Sequence, residues 1–474
     1  MPRRSTALTT ALFLAFAAGI VLRVWSLRSP LGASDSDEAI WALMARHVLD
    51  GEFPAYFWGQ GYGGTIEVYL GAPLMWAFGG GLGAARALSL LLTAVATWLV
   101  WVVGRRALDP RRAAVAAALF WVWPAYAAWK STRANGFYLS GQILGLLVIL
   151  LVLRLAERPR RRDAVALGLV LGLTAWQTWQ LVPVVVPALL WLAWRRPAAY
   201  RLAAFSVPGL VVGALPAIAS NLRHDGWSRW TAPGGGSYLS RLQGFFTAVL
   251  PTQLGLRVPF SLEWLVPRPV AGVVLLAAVA GALVLGVRRR GSPIGLLVAV
   301  AASFPLLYAM SRYTWYVVEP RYLFVLAPVV ALLVAQPLRR GLVACAAIVI
   351  AIGLSLAGVA SMEGDDSFAQ RNGGVAAVAD LGSPVRALDE RGIRAAYGEY
   401  WLAYRLTLAT GERIVVAPRG DSHYPPYLRE IGRASRPPFV FYAGSPEEEA
   451  ARAELLSVGY RRDVVDGLAI WQRP

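Results

Sequence analysis

Asp35, Asp37, Glu38, Glu52 and Glu67 occur together in GASDSDEAIWALMARHVLDGEFPAYFWGQGYGGTIEVYLGAP, between Gly32 and Pro73, directly after the first apolar run of the chain. Carboxylates gathered in this way can take a proton from a hydroxyl, hold a divalent cation or cap a helix. Asp35 or Asp37 is a candidate N-cap for a helix beginning at EAIWALMARHV, and a cap would hold the neighbouring carboxylate in a fixed place. Ile40, Leu43, Met44 and Val48 recur at helical spacing, which suits an amphipathic helix on the bilayer surface. Glu67 stands in an apolar sequence. Burying an unpaired carboxylate costs on the order of several kcal/mol, so Glu67 is expected to face a polar cavity or a cation.

The elements that must position these acids are membrane helices. The 474 residues are 57% hydrophobic and 16% charged, against about 25% charged in soluble proteins, and the mean hydropathy is +0.50. The formal charge of +18 sits in short arginine clusters between apolar runs, without an aromatic-basic recognition motif, which argues against nucleic acid as a partner. Cys345, the only cysteine, has no partner for a disulfide, and His47, His224 and His423 are spaced too widely to suggest a zinc site.

A helix needs roughly 20 apolar residues to cross the hydrocarbon. Eleven segments are expected to cross, near 7–25, 82–103, 113–129, 136–153, 164–176, 181–194, 202–220, 270–287, 292–310, 320–336 and 341–361. The first has the layout of a cleavable signal, but its apolar run continues to Trp25, so it is expected to remain as a helix. Arginines at 2–4, 105–112, 154–162, 195–201, 288–290 and 339–340 fall on one side of this arrangement, which puts the N-terminus in the cytoplasm and the acidic loop, KSTRANGFY, the loop 221–269, SRYTWYVVEPRY and the C-terminal tail outside. Residues 1–361 are expected to form the membrane domain, with interfacial helices in 26–81. Residues 362–474, after the polar link EGDDSFAQRNGG, are expected to form a small external α/β domain. In it SPVRALDERG and SPEEEAARAELLSVG read as helices with Ser-Pro starts, and IRAAY, RIVVA and FVFYA as strands.

SDEAIWALMARHVLDGEFP, followed by GQGYGGTIEVYLGAPL, and later EPRYLFVLAP, resemble the GT-C glycosyltransferases, in particular the family-39-like bacterial group related to protein O-mannosyltransferases and the lipid A aminoarabinose transferase. The resemblance implies transfer of a sugar from a polyprenyl-phosphate carrier to a glycan, lipid or protein acceptor on the outer face of a bacterial cytoplasmic membrane. It implies Asp37 as general base with Glu38 beside it, and Asp35 is the competing assignment. The Lys-Pro-Pro or His-Pro-Pro element of several relatives is replaced here by GQGYGGTIEV.

With such a donor the leaving group is already good, and cations aimed at its phosphate should dominate the stabilisation. Lys130, Arg133, Arg312 and Arg321 are the outward candidates, with Glu319 and Tyr322 beside Arg321; each has an ordinary reading as a loop charge or, for Arg321, an interfacial anchor. Gln60, Tyr62 and Glu67 are candidates for sugar or acceptor contacts. Trp176, Gln177, Trp179 and Gln180 read first as belt residues, and the loop containing APGGGSY as a cover for the site. One base and no covalent intermediate imply inversion at the sugar. No metal is expected to be required, although Asp35, Asp37 and Glu67 could offer oxygen ligands to a divalent cation. A flippase, or a polymerase or ligase of lipid-linked glycans, is the alternative; the short basic inner loops and the concentration of polar residues outside favour a transferase.

Overall fold

The structure is a computed structural model that describes residues 2–223, 235–366, 378, 380–420 and 422–473. His224 and residues 232–234 of APGGGSY lie outside the described residues, as does most of the link EGDDSFAQRNGG. The chain runs through α1 (Pro2–Arg28), α2 (Ser36–Leu49), α3 (Ile66–Phe78), α4 (Leu82–Ala107), α5 (Pro110–Val122), α6 (Ala125–Lys130), α7 (Tyr138–Glu157) and α8 (Arg161–Gln177). It continues through α9 (Val182–Arg195), α10 (Ala203–Arg223), α11 (Tyr238–Gly244), α12 (Leu250–Gln253), α13 (Arg268–Arg289), α14 (Pro293–Met310), α15 (Ala327–Ala335) and α16 (Gly341–Gly364).

The chain is a polytopic α-helical membrane protein with a small C-terminal domain built on a sheet. Among the described residues seven helices, not eleven, are long and apolar enough to cross a membrane: Thr6–Arg28, Leu82–Ala107, Tyr138–Glu157, Pro197–Arg223, Arg268–Arg289, Pro293–Met310 and Gly341–Gly364. The segments expected near 113–129, 164–176, 181–194 and 320–336 form shorter pieces. The first breaks at Pro124 into α5 and α6, and the last begins as a 3-10 turn, Arg321–Leu326, before α15. A proline removes an amide donor and disfavours helix for the residue before it, so an apolar run crossed by proline need not be one helix.

Local rules explain several boundaries. Asp109 caps α5 by accepting from the Arg112 amide, with Pro110 in the first turn, and Ser292 caps α14 in the same way with Pro293. α8 and α10 pack closely because glycines meet: a Cβ on Gly168 would lie 1.9 Å from the Ser206 carbonyl oxygen, and one on Gly213 would lie 2.3 Å from the Leu169 oxygen. Small residues four apart allow such backbone contact between membrane helices.

The arginine clusters of the loops between helices, at 105–112, 154–162, 195–201 and 288–290, collect at one end of the bundle. Arg106 pairs with Glu157 at 2.5 Å, Arg154 with Asp163 at 2.7 Å, Arg112 donates to the Gln336 carbonyl at 2.6 Å, and Arg195 donates to the Gly291 carbonyl at 2.8 Å. The acidic stretch lies at the other end. There Gly64 donates to the Gln177 carbonyl at 2.9 Å and Trp176 donates to the Ala55 carbonyl at 2.6 Å.

The C-terminal sheet has five strands in the order β2-β1-β3-β5-β4, where β1 is Ala395–Gly398, β2 Val415–Ala417, β3 Phe439–Tyr442, β4 Arg461–Val465 and β5 Leu468–Gln472. β1 pairs parallel with β2 and β3, β5 antiparallel with β3, and β4 and β5 form a hairpin. Ser445 caps the helix Pro446–Ser457 by accepting from the Glu448 amide. The helix expected to start at Ser383 begins at Gly382. Ile40, Leu43 and Met44 are fully buried, and α2 packs against α3, α4 and the C-terminal helix Tyr400–Ala409. The expectation that α2 lies on the bilayer surface is therefore corrected: its apolar residues face protein.

Candidate active site

The first turn of α2 arranges the acids. Asp35 is the N-cap, in extended conformation, and its Oδ1 accepts from the Glu38 amide at 3.0 Å. Its Oδ2 accepts from Arg133 Nη2 at 2.8 Å. Glu38, wholly buried, holds Arg86 through Nε at 3.0 Å and Nη2 at 2.7 Å; Arg133 Nη2 lies 3.0 Å away, and the Ala134 amide donates at 3.1 Å. This buried network consumes Asp35, Glu38, Arg86 and Arg133, with the helix N-terminus favouring the negative charges. Asp37, between the two, is left to face a cavity.

That cavity has a volume of about 380 Å³ and is walled by Asp37, Gln60, Tyr62, Asn135, Tyr138, Glu319, Arg321, Tyr322 and Trp401, among others. Arg321 sits against the rings of Tyr316 and Tyr322, at 5.5 and 5.3 Å from guanidinium carbon to centroid, and its buried Nε has no hydrogen-bond partner among the described residues. Glu319 Oε1 accepts from Lys130 Nζ at 3.0 Å and from the Tyr126 hydroxyl at 3.2 Å. Gln60 Oε1 and Asn135 Oδ1 are buried amide oxygens without a partner among the described residues. The Tyr400 hydroxyl donates to Asp37 Oδ1 at 2.6 Å. Burial and the neighbouring Asp37 charge push this phenol well above its usual range, so it remains a donor.

Six of the expected site residues thus share one cavity: Asp37, Gln60, Tyr62, Glu319, Arg321 and Tyr322. Six do not line it. Asp35, Glu38 and Arg133 are engaged in the ion network, and Lys130 is engaged by Glu319. Glu67 meets neither a cation nor this cavity: its Oε1 accepts from the Ser140 amide and hydroxyl, both at 2.8 Å, and Gln177 supports the same hydroxyl at 2.8 Å. Arg312 is exposed and does not line the cavity. Asp35, Asp37 and Glu67 therefore do not converge as cation ligands, and no group of three or more His, Cys, Asp or Glu side chains suited to an ion is found among the described residues.

Trp176 and Gln177 are buried pins and not belt residues, while Trp179 is 62% exposed. Residues not expected at the site include Arg86, Asn135, Tyr138, Tyr400 and Trp401. Arg86 carries a signal, being a lone arginine early in an apolar helix, where an acid must meet it.

A second cavity, of about 1330 Å³, adjoins the first, and Tyr62, Phe137, Tyr313 and Tyr322 line both. Its other walls are mostly apolar, including Val182, Ile218, Leu222, Phe304, Leu307 and Met310.

A sequence model described as dolichyl-phosphate-mannose-protein mannosyltransferase matches residues 69–224. No curated protein matches the sequence. Among solved structures, the crystal structure of ArnT from Cupriavidus metallidurans bound to undecaprenyl phosphate is similar over 98% of both chains, with a TM-score of 0.66 and 14% identity. The Archaeoglobus fulgidus oligosaccharyltransferase in complex with Zn and sulfate is similar over 98% of this chain and 73% of that one, with a TM-score of 0.53 and 13% identity. At 14% and 13% identity these two likenesses are likenesses of fold, and the family model adds a sequence match confined to residues 69–224.

Proposed function

We propose that the protein is a membrane glycosyltransferase that moves a sugar from a polyprenyl-phosphate carrier to an acceptor hydroxyl, with Asp37 as general base. The observation that carries the reading is the sharing of one small polar cavity by Asp37 and Arg321, next to a large apolar one. Arg321, with a buried unpaired Nε, suits a phosphate oxygen and would stabilise the charge that builds as polyprenyl phosphate departs. The apolar cavity suits the first isoprene units of the carrier. The unpaired oxygens of Gln60 and Asn135 suit sugar hydroxyls.

In the transfer step the acceptor oxygen forms a bond to the anomeric carbon while its proton passes to Asp37. The bond from that carbon to the phosphate oxygen breaks, and its electron pair leaves with the carrier phosphate. Among the acids expected to react, only Asp37 is free of an ion pair and lines the cavity, which supports single displacement with inversion. The arginine-rich end opposite the site supports an outward-facing cavity in a bacterial cytoplasmic membrane. The acceptor is a glycan, lipid or protein, and the reaction is written without a metal.

The test is transfer by the purified protein in lipid with a panel of undecaprenyl-phosphate sugars and envelope acceptors. Asp37→Asn should lower turnover by about 100- to 10,000-fold, the range of general base catalysis, while the protein still inserts. Turnover near that of the unaltered protein in this variant would remove Asp37 from the role.

A further inference from the structure

The transfer chemistry draws on the membrane helices, yet one wall of the small cavity belongs to the C-terminal domain: Trp401 lines it beside Asp37. We propose that Tyr400 is the positioning residue of the base, holding Asp37 by Oδ1 so that Oδ2 is the oxygen offered to the acceptor hydroxyl. The proposal rests on the reading of Asp37 as the base.

An aspartate alone in a cavity can rotate about its side-chain bonds, and each orientation that points away from the acceptor lowers the reactive fraction. Asp35 and Glu38, on either side of it, are each fixed by arginine. Asp37 is given a neutral donor instead, the Tyr400 hydroxyl at 2.6 Å. A phenol fixes the carboxylate without the charge of a guanidinium, which would hold the proton-accepting electrons far more tightly.

Tyr400 is itself held in place. Its backbone carbonyl accepts from the Ser36 hydroxyl, the residue immediately before Asp37. Five residues on, Arg405 Nε donates to the Ser34 hydroxyl at 3.0 Å, and its other nitrogens reach the Tyr442 hydroxyl and the Val378 carbonyl. The Tyr400 ring lies 4.9 Å from Trp401, 5.1 Å from His423 and 6.1 Å from Tyr404, centroid to centroid. The segment Ser34–Asp37 and the first turns of helix Tyr400–Ala409 are therefore joined at three points, one of them on the reactive side chain. Removal of the acceptor proton then proceeds at Oδ2, with the resulting carboxylic acid still held through Oδ1.

The experiment compares Tyr400→Phe with the unaltered protein, using whichever undecaprenyl-phosphate sugar the latter transfers and using undecaprenyl phosphate alone as a binding probe. The variant should turn over about 10- to 100-fold more slowly, with the donor KM, the affinity for undecaprenyl phosphate and the thermal midpoint within about twofold or a degree of their original values. Phenylalanine keeps the ring contacts, and Tyr424→Phe controls for loosened docking, because it removes a hydroxyl bond to Glu52 in the same interface without approaching Asp37. Tyr424→Phe should keep its turnover. Unchanged or faster turnover in Tyr400→Phe, or equal losses in both variants, would overturn the proposal. An inactive Asp37→Asn with fully active Tyr400→Phe sinks only this inference, whereas an active Asp37→Asn sinks the reading beneath it.

Discussion

Replacing Glu38 by glutamine separates an acid held in the ion network from Asp37, the base proposed above. Glu38 is wholly buried and receives three guanidinium contacts, from Arg86 Nε at 3.0 Å, Arg86 Nη2 at 2.7 Å and Arg133 Nη2 at 3.0 Å, besides the Ala134 amide at 3.1 Å. Glutamine fills the same volume but turns one oxygen into a donor, so at least one guanidinium would meet N–H groups in place of an acceptor. Removing one partner of a buried ion pair costs about 3–5 kcal/mol, and Arg133 would retain Asp35 at 2.8 Å, which favours the lower end. Against a total stability of about 5–15 kcal/mol, that is a large fraction. The assay is paired: thermal midpoint in detergent by tryptophan fluorescence, and turnover per folded molecule isolated by size exclusion. Glu38→Gln should unfold at a distinctly lower temperature, yet the folded molecules should turn over within about threefold of the unaltered protein, whereas Asp37→Asn should do the reverse. A Glu38→Gln protein with an unchanged midpoint and the turnover of Asp37→Asn would refute the reasoning.

The junction of α2 with the C-terminal domain should respond to pH. Burial lowers the His47 pKa, but hydrogen bonds and charges of Glu412 and Glu52 outweigh it and raise the value above 6.5, with Tyr424, Trp58 and Arg46 also nearby. Its stabilisation is complete below 6.5 and is lost as pH rises through the elevated folded value; the exchange protection of helix Pro425–Ile431, corrected for base-catalysed intrinsic exchange, should fall across that rise, and His47→Gln should remove the fall. Gly59→Ala should destabilise by about 1–3 kcal/mol, because φ is +69° and the new Cβ would lie 2.7 Å from the His423 Cα; an unchanged thermal midpoint would contradict this.

The sequence brings Asp37 forward through the family resemblance and Arg321 through a charged residue type that lipid does not tolerate unpaired, and both line one cavity with Tyr322. The division of labour among the acids was not legible. Whether Asp35 or Asp37 caps α2 depends on which one finds the helix amides and which meets an arginine, and Arg86 and Arg133 come from elements far along the chain. Tyr400 is farther still, 363 residues from Asp37, with nothing local to announce the contact. The segment near 113–129 reads as one span because hydropathy carries across Pro124 while the helix does not. The hairpin of β4 and β5 did leave a trace: Asp466-Gly467, with φ of 44° and 82°, is a two-residue turn of the kind that favours hairpins.

The burial of α2 sets an order of assembly during synthesis. Its residues emerge among the first fifty, yet one of the three helices packed on it begins only at Tyr400. Until the ribosome has passed that point, α2 has only α3 and α4 of these partners, and a message truncated after α16 would yield a chain able to enter the bilayer but lacking the Trp401 wall of the small cavity.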